Sequence, residues 1–496
     1  MNILGIGGVL SDAAAALIQG NEIAAAVEES KLTRRAPSGL LPDAAINCCL
    51  RISGVSPEEV DYVALARPLP PGPDLAIALR RFSRAKVVSV DHHRAHAHSA
   101  WLASPFEKAT VITLDRAGDL RCGARWKGEG ARLTLEEEIL FPNSIGALYG
   151  RITELLGFRA RSDEHLTQWL SITGKPRFAH ALTGVEGDLH EKLGLPEGSL
   201  KPQDRADLAA SIQKVLEDYV LRYAGDAEYL CLAGGVGWNA LLVRALEQSG
   251  VFKGVFAQPA AGNAGTALGA ALGVWQSATG SSAKLDGGGY CLGPSFTASE
   301  VKQVLENCKL RFRVLPTVPD LLTATTDQLQ QNRIVAWMQG RMEFGPRALG
   351  NRSILASPQD PYSTENLNTF IKHREGFRKF AASVPAELAS QYFEAGSNAR
   401  HLATVSKVRP EYREQFHSAI LAHDLIRVHT VFQEDNPLYW QLLHAFGERT
   451  GLPVLYNTSF NLFGEPLVCT PRDAVRSLQF SSTCLTSLAV KEGPRQ

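Results

Sequence analysis

The 496-residue sequence has no C-x-x-C pair, no long basic run, no standard phosphate loop and no apolar run approaching the ~20 residues of a membrane span. Its cysteines (Cys48, Cys49, Cys122, Cys231, Cys291, Cys308, Cys469 and Cys484) are scattered. That argues against a cysteine zinc site and for free thiols in a reducing compartment. Lysine plus arginine and aspartate plus glutamate number 51 each, so the formal net charge is zero. No general affinity for polyanions follows, and neither nucleic acid nor a membrane surface is an expected partner. The opening residues Asn2-Ile3-Leu4-Gly5-Ile6-Gly7 read as a strand and lack the basic and apolar regions of a signal peptide, so a cytoplasmic location is expected.

What is present is ordinary globular composition, 45% hydrophobic and 21% charged. The length allows roughly two to four domains. The most concentrated chemistry lies in Gly340–Leu355, which places Arg341, Arg347 and Arg352, one acid (Glu343) and Gly340, Gly345 and Gly350 directly after the apolar run Ile334–Met338. The run reads as a buried strand. Fixed cations among glycine turns suit a small oxyanion such as a phosphate or carboxylate; a solvated charged loop is the alternative.

Earlier in the chain, Ile3–Ile6, Ala14–Ile18 and Ile23–Val27 read as an antiparallel start to a mixed sheet with a turn at Gly20-Asn21. Asp12 lies in the turn between the first two, where actin-like and sugar-kinase-like folds approach a nucleotide phosphate. The strand Lys86–Val90 runs into Asp91-His92-His93-Arg94-Ala95-His96-Ala97-His98. A helix starting there puts His92 and His96 on one face, as two ligands of a divalent metal require, and the strand Ala109–Leu114 delivers Asp115 as a further ligand. Residues 140–225 read as mostly helical. Two strand-to-helix turns follow: Gly234-Gly235-Val236-Gly237-Trp238-Asn239 after Tyr229–Ala233, and Gly262-Asn263-Ala264-Gly265 after Val255–Pro259. Glycines there let backbone amides reach a phosphate, and two such turns favour nucleotide binding over plain tight turns. Later polar clusters are Lys372–Lys379 and the apparent turn Tyr456–Asn461 after the strand Val454-Leu455.

With these pieces in this order, the chain resembles the O-carbamoyltransferase family of antibiotic biosynthesis and nodulation over almost its whole length. The resemblance is most specific at Gly340–Leu355, at Asn368–Glu375, and at Asn457–Asn461 with Gly464-Glu465-Pro466. It implies an α/β protein: an N-terminal actin-like (ribonuclease-H-like) duplicated mixed-sheet domain over residues 1–285, then a C-terminal YrdC-like α/β domain over residues 295–496. It also implies that carbamoyl phosphate and ATP give carbamoyl adenylate in the second domain. The carbamoyl group then passes, in the first, to a hydroxyl of a small-molecule acceptor. Catalytic roles fall on Arg347, Lys372, Asn457, Ser459 and Asp12. Ligand contacts fall on Arg341, Asn351, Arg352, Arg374, Arg378, Arg427, Thr458 and Asn461 in the second domain, and on Gly234, Gly235, Asn239, Asn263 and Gly265 in the first. His92, His96 and Asp115 would hold a divalent metal, iron or manganese.

The chain departs from the family pattern mainly in its first half. Asn263 stands where the family has a metal-binding aspartate, Ser11 where it has a histidine, and Val243 where it has an asparagine. Glu164–Trp169 replaces a Glu-Gly-Lys-x-Met-Gly segment. Two other readings therefore stand beside a working O-carbamoyltransferase: a variant with a weakened metal site that uses a partner protein or different acceptor, and a non-catalytic nucleotide-binding scaffold. A homo-oligomer is also compatible with the sequence.

Overall fold

β1 (Asn2–Gly7), β2 (Ala14–Gln19) and β3 (Glu22–Glu28) form the expected antiparallel meander, closed at Gly20-Asn21. β4 (Tyr62–Ala66) and β5 (Lys86–Val90) add in parallel beyond β1, giving the order β3-β2-β1-β4-β5. Parallel neighbours need a crossover, and the helix Asp43–Ser53 lies in the connection to β4. The same grammar then repeats. β6 (Lys108–Gly118), β7 (Arg121–Glu129) and β8 (Arg132–Leu140) form an antiparallel meander, and β9 (Tyr229–Ala233) and β10 (Gly254–Ala257) extend it in parallel in the order β10-β9-β6-β7-β8. One strand order used twice, with the same pair directions, is the duplicated mixed sheet of an actin-like fold. The computed structural model describes residues 1–36, 38–69, 74–130, 132–182, 193, 200–281, 288–373, 378–462 and 464–480.

Two helices, His92–Trp101 and Gly265–Thr279, share one buried core with both sheets. Their Ala95, Ala97, Ala100, Ala267, Ala270 and Ala271 pack with Ile3, Ala14 and Ile18 of the first sheet and Val111, Trp126 and Cys231 of the second. Small side chains let the helices touch. A Cβ on Gly269 would lie 1.7 Å from the carbonyl oxygen of Ala95, so only glycine allows this approach. The contact fixes the position of the histidine-bearing helix.

The C-terminal half is built on a seven-stranded sheet of order β11-β12-β17-β13-β16-β15-β14. Its strands are β11 (Val335–Met338), β12 (Arg352–Ala356), β13 (Ala381–Pro385), β14 (Phe393–Glu394), β15 (Ser406–Val408), β16 (Leu425–Val431) and β17 (Leu455–Ser459). β13 and β16 run parallel and the other neighbours antiparallel. Here the expected polar turn at Tyr456–Asn461 is corrected: Asn457, Thr458 and Ser459 are strand residues in the middle of the sheet, paired with β12 on one side and Asn457 with β13 on the other. The stretch read as mostly helical begins instead with the end of β8, after which helices span Ile145–Leu155, Glu164–Ser171 and Pro202–Ala224. Among the described residues no helix is long and apolar enough to cross a membrane.

The halves are tied by half-buried arginine side chains. Arg34 donates to the carbonyl oxygens of Pro466 and Leu467 and pairs with Glu465. Arg341 donates to the carbonyl oxygens of Ala24, Leu292 and Gly293.

Candidate active site in the cleft between the two halves

A cavity of about 860 Å³ opens between the halves and is lined by both. The N-terminal wall carries Asp12, His92, Asp115, Gly235, Asn239 and Asn263; the C-terminal wall carries Arg347, Arg378, Arg427, Asn457, Thr458 and Ser459. The metal-type and arginine-type residues thus face one space.

On the first wall, the Asp91 carboxylate accepts from the Arg94 N–H at 3.0 Å and starts the helix at His92. His92 Nε2 and His96 Nε2 then reach the same Asp115 Oδ2, at 2.8 and 3.0 Å. His92 Nδ1 lies 3.2 Å from the Arg67 carbonyl, which assigns the proton to Nδ1 and leaves Nε2 for the site. Asp115 Oδ1 accepts from the Gly235 N–H. Burial raises the pKa of Asp115, but His96 and His92 outweigh it and hold the carboxyl well below its ordinary range. For His92, burial favours the neutral ring, yet the bond to Asp115 wins and the pKa is raised. For His96 burial wins and the pKa is lowered. Gly118 is required here, because a Cβ would lie 2.2 Å from the His92 ring.

Two imidazole nitrogens and a carboxylate oxygen converging this closely fit a divalent cation. His96 Nδ1 is buried without a hydrogen-bond partner among the described residues. Among the described residues, the group whose ligand atoms all lie within 4.8 Å of one another is His92, His93 and Asp115. The nitrogens of His93 are already placed, however, at 3.0 Å from Thr113 Oγ1 and 3.3 Å from the Arg121 carbonyl. The expected trio has His96, whose Nε2 reaches Asp115, in the place that His93 takes in this group. Asn263 lines the same cavity and makes no side-chain hydrogen bond among the described residues. Asp12 has its pKa raised by burial, with Asp115 adding like-charge repulsion against the Ser11 hydroxyl bond.

On the second wall, the loop between β11 and β12 is organised around Glu343. This fully buried carboxylate accepts from the N–H groups of Leu349, Asn351 and Arg352 at 2.8, 2.9 and 3.1 Å. Lys31 clamps the same loop from the other half, donating to the carbonyls of Glu343 and Gly345 at 2.9 and 2.7 Å while paired with Glu28 at 2.9 Å. Arg347 projects from this loop into the cavity and has no hydrogen bond or ion pair among the described residues. Burial alone pushes its pKa down to about 10, so it stays cationic at neutral pH. Arg427 sits with its guanidinium 5.8 Å from the Trp169 ring centroid. Asn457 donates to the Ala348 carbonyl and to Ser383 Oγ at 3.1 and 3.2 Å, leaving its buried Oδ1 unpartnered.

Several expected ligand residues do not face the cavity. Arg341 is spent on backbone carbonyls of both halves. Fully buried Arg352 donates to the carbonyls of Gln339, Asn351 and Pro294. Asn351 joins the Arg341 carbonyl and Asn436. Lys372 was expected to neutralise phosphate; instead its ammonium meets Ser459 O and Asn461 Oδ1, each at 2.6 Å, with Ser459 Oγ and Asn461 O at 3.3 and 3.1 Å. Those contacts use its three protons, so it positions the end of β17 rather than meeting a ligand. Asn461 shares that role, and Gly234 and Gly265 are not among the residues that line the cavity. Asn239 lines the cavity, but its amide is bonded to Gln213 and the Leu242 N–H. Arg374 lies outside the described residues. Sequence reading missed Glu343, Lys31, His165 and Trp169; only Glu343, the lone acid in an arginine loop, carried a signal.

A duplicated actin-like unit is joined to an α/β unit, and a histidine–aspartate cluster faces the guanidinium of Arg347 across one cleft, an arrangement of the kind a group-transfer enzyme uses. Residues 2–68, 74–192 and 177–272 match the Carbamoyltransferase N-terminus family, and residues 326–492 match the Carbamoyltransferase C-terminus family. An uncharacterised protein of Synechocystis sp. is 34% identical over 96% of this chain and 94% of its own length. Nodulation protein NolNO of Sinorhizobium fredii is 32% identical over 97% of this chain and 78% of its own. The 3'-hydroxymethylcephem-O-carbamoyltransferase of Streptomyces clavuligerus is 32% identical over 50% of this chain and 45% of its own. The chain belongs to the carbamoyltransferase family, and it is an enzyme of that class.

Proposed function

We propose that this chain makes carbamoyl adenylate from carbamoyl phosphate and ATP and transfers the carbamoyl group to a hydroxyl of a small-molecule acceptor. Residues 295–496 act as the carbamoyl-phosphate-processing part and residues 1–285 as the transfer part. The observation that carries this reading is the shared cleft: an unpaired guanidinium, Arg347, faces the same space as His92 and Asp115. In the reaction, carbamoyl phosphate loses phosphate to water. The resulting carbamate oxygen attacks the α-phosphorus of ATP and pyrophosphate leaves. The acceptor oxygen then attacks the carbamoyl carbon, AMP leaves, and a proton is released.

Arg347, with Arg378 and Arg427, supplies charge for the phosphate groups. The free Oδ1 of Asn457 is an acceptor suited to the carbamoyl N–H₂. Asp12, its pKa raised by burial, is placed to take the acceptor's proton. A divalent metal held by His92, His96 and Asp115 would polarise the carbamoyl carbonyl as a Lewis acid. The reading is tested by incubating the protein with ATP and carbamoyl phosphate and no acceptor. Carbamoyl-dependent pyrophosphate release is expected, and its absence sinks the proposal. Asn263 supports the second reading, a weakened metal site. Pyrophosphate release without transfer to any hydroxylated acceptor, whatever metal is added, would select it.

A further inference from the structure

His165 lies on the first turn of the helix Glu164–Ser171 and lines the cleft together with Arg347 and Arg378 of the opposite half. No step described above uses it. Its Nδ1 is 3.1 Å from the Ser162 carbonyl. A carbonyl only accepts, so in the neutral ring the proton sits on Nδ1 and Nε2 is a bare acceptor. That Nε2 is buried and has no hydrogen-bond partner among the described residues. Burial first, then the positive charge of Arg378 with a smaller share from Arg347, pushes the ring's pKa down to about 4; the Ser162 carbonyl and Asp163 oppose this. Asp163 is engaged with the Arg159 N–H at 3.0 Å, and Arg161, Glu164, Lys379 and Arg427 also line the cavity.

A bare lone pair repels an anion, yet the two arginines beside it are sited to collect one. The conflict resolves through proton linkage. A dianion on the guanidinium groups cancels their share of what keeps the ring neutral, its own charge favours a proton on Nε2, and the ring then becomes a third donor. We propose that His165 is a proton-linked anion ligand: when a tetrahedral dianion docks on Arg347 and Arg378, Nε2 takes a proton from solvent and donates it to an anion oxygen. The inference rests on the carbamoyl-phosphate reading of this cleft and adds a ligand for the phosphate.

Sulfate is the test probe, because it stays a dianion throughout and brings no titrating proton of its own. Calorimetric titration of the full chain in buffers of different ionisation enthalpy is expected to show proton uptake on sulfate binding at about pH 6 and little at about pH 8.5. H165Q should lose the uptake and bind sulfate roughly tenfold more weakly at the lower pH, where the wild-type bond is charge-assisted. At the higher pH it should match wild type, which also shows that the variant is folded. Unchanged uptake and affinity in H165Q overturn the proposal. If Arg347→Ala nonetheless weakens sulfate at both pH values, the anion-site reading survives that failure. If wild type binds no sulfate, or Arg347→Ala binds it equally well, both fall.

Discussion

Lys31 Nζ lies 2.7 Å from the carbonyl oxygen of Gly345, so a residue of the N-terminal half holds the backbone of the loop that carries Arg347. The same ammonium pairs with Glu28, whose carboxylate accepts from the Gly345 N–H at 2.8 Å. Both peptide groups of Gly345 are thereby fixed from across the cleft.

Lys31→Met is expected to destabilise the protein by roughly 3 kcal/mol, because it leaves Glu28 buried without its cation. Urea denaturation measures this. Lys31→Met combined with Glu28→Gln should recover part of the loss, and if it does not, the pair is not coupled.

Arg347→Ala should raise the KM for carbamoyl phosphate by about tenfold or more, through loss of a charge-assisted contact. Stability should change by less than about 0.5 kcal/mol, because the side chain has no protein partner to lose. An unchanged KM would remove Arg347 from the site.

Asp115→Asn should abolish divalent-metal binding, since it removes the carboxylate on which His92 and His96 converge. Asn263→Asp should tighten it, an anionic oxygen being the stronger donor. Metal content after dialysis against iron or manganese reads both, and equal content in all three proteins would refute the ligand set.

Acid stability offers a test away from the cleft. His429 is buried beside Tyr439, with Ser383 Oγ 3.2 Å from its Nδ1, and burial pushes its pKa down to about 3. The unfolded chain therefore takes up this proton first. The contribution is fully present above about pH 6.5 and is lost as pH falls toward the folded value. Between about pH 6.5 and 4.5 it amounts to at most about 3 kcal/mol. Denaturation midpoints should fall over that window, and His429→Gln should flatten the slope.

Much of the N-terminal architecture was legible because its strands are short apolar runs bounded by glycine or aspartate, as in Ile3–Ile6 before Gly7 and Ala109–Leu114 before Asp115. The histidine helix was legible from spacing and its Asp91 cap. β8 escaped notice because Arg132-Leu133-Thr134-Leu135-Glu136-Glu137-Glu138 is mostly exposed at the sheet edge, where charge blunts pairing with other chains. The polar β17 reads as a turn in sequence, since Asn457 is a strand residue only because β12 and β13 flank it, and Ser459 only because it pairs with β12.

Within the arginine loop, composition could not separate the three guanidinium groups. Arg347 points at the cleft, while Arg341 and Arg352 each close several backbone carbonyls. Which arginine is free depends on where orphan carbonyls fall after folding, and that is a tertiary fact. Lys372 was misassigned for the same reason. The aspartate-bound histidines were found because their geometry is local to one helix and the strand that follows it.

The clamp of Lys31 and Glu28 on Gly345 also bears on how relatives of this enzyme diversify. A chimera joining the N-terminal half of one relative to the C-terminal half of another must bring matching clamp residues or lose the shape of its anion loop. The two halves are therefore poor interchangeable cassettes. New acceptor preferences are more readily reached by substituting residues on the cleft walls than by shuffling whole halves.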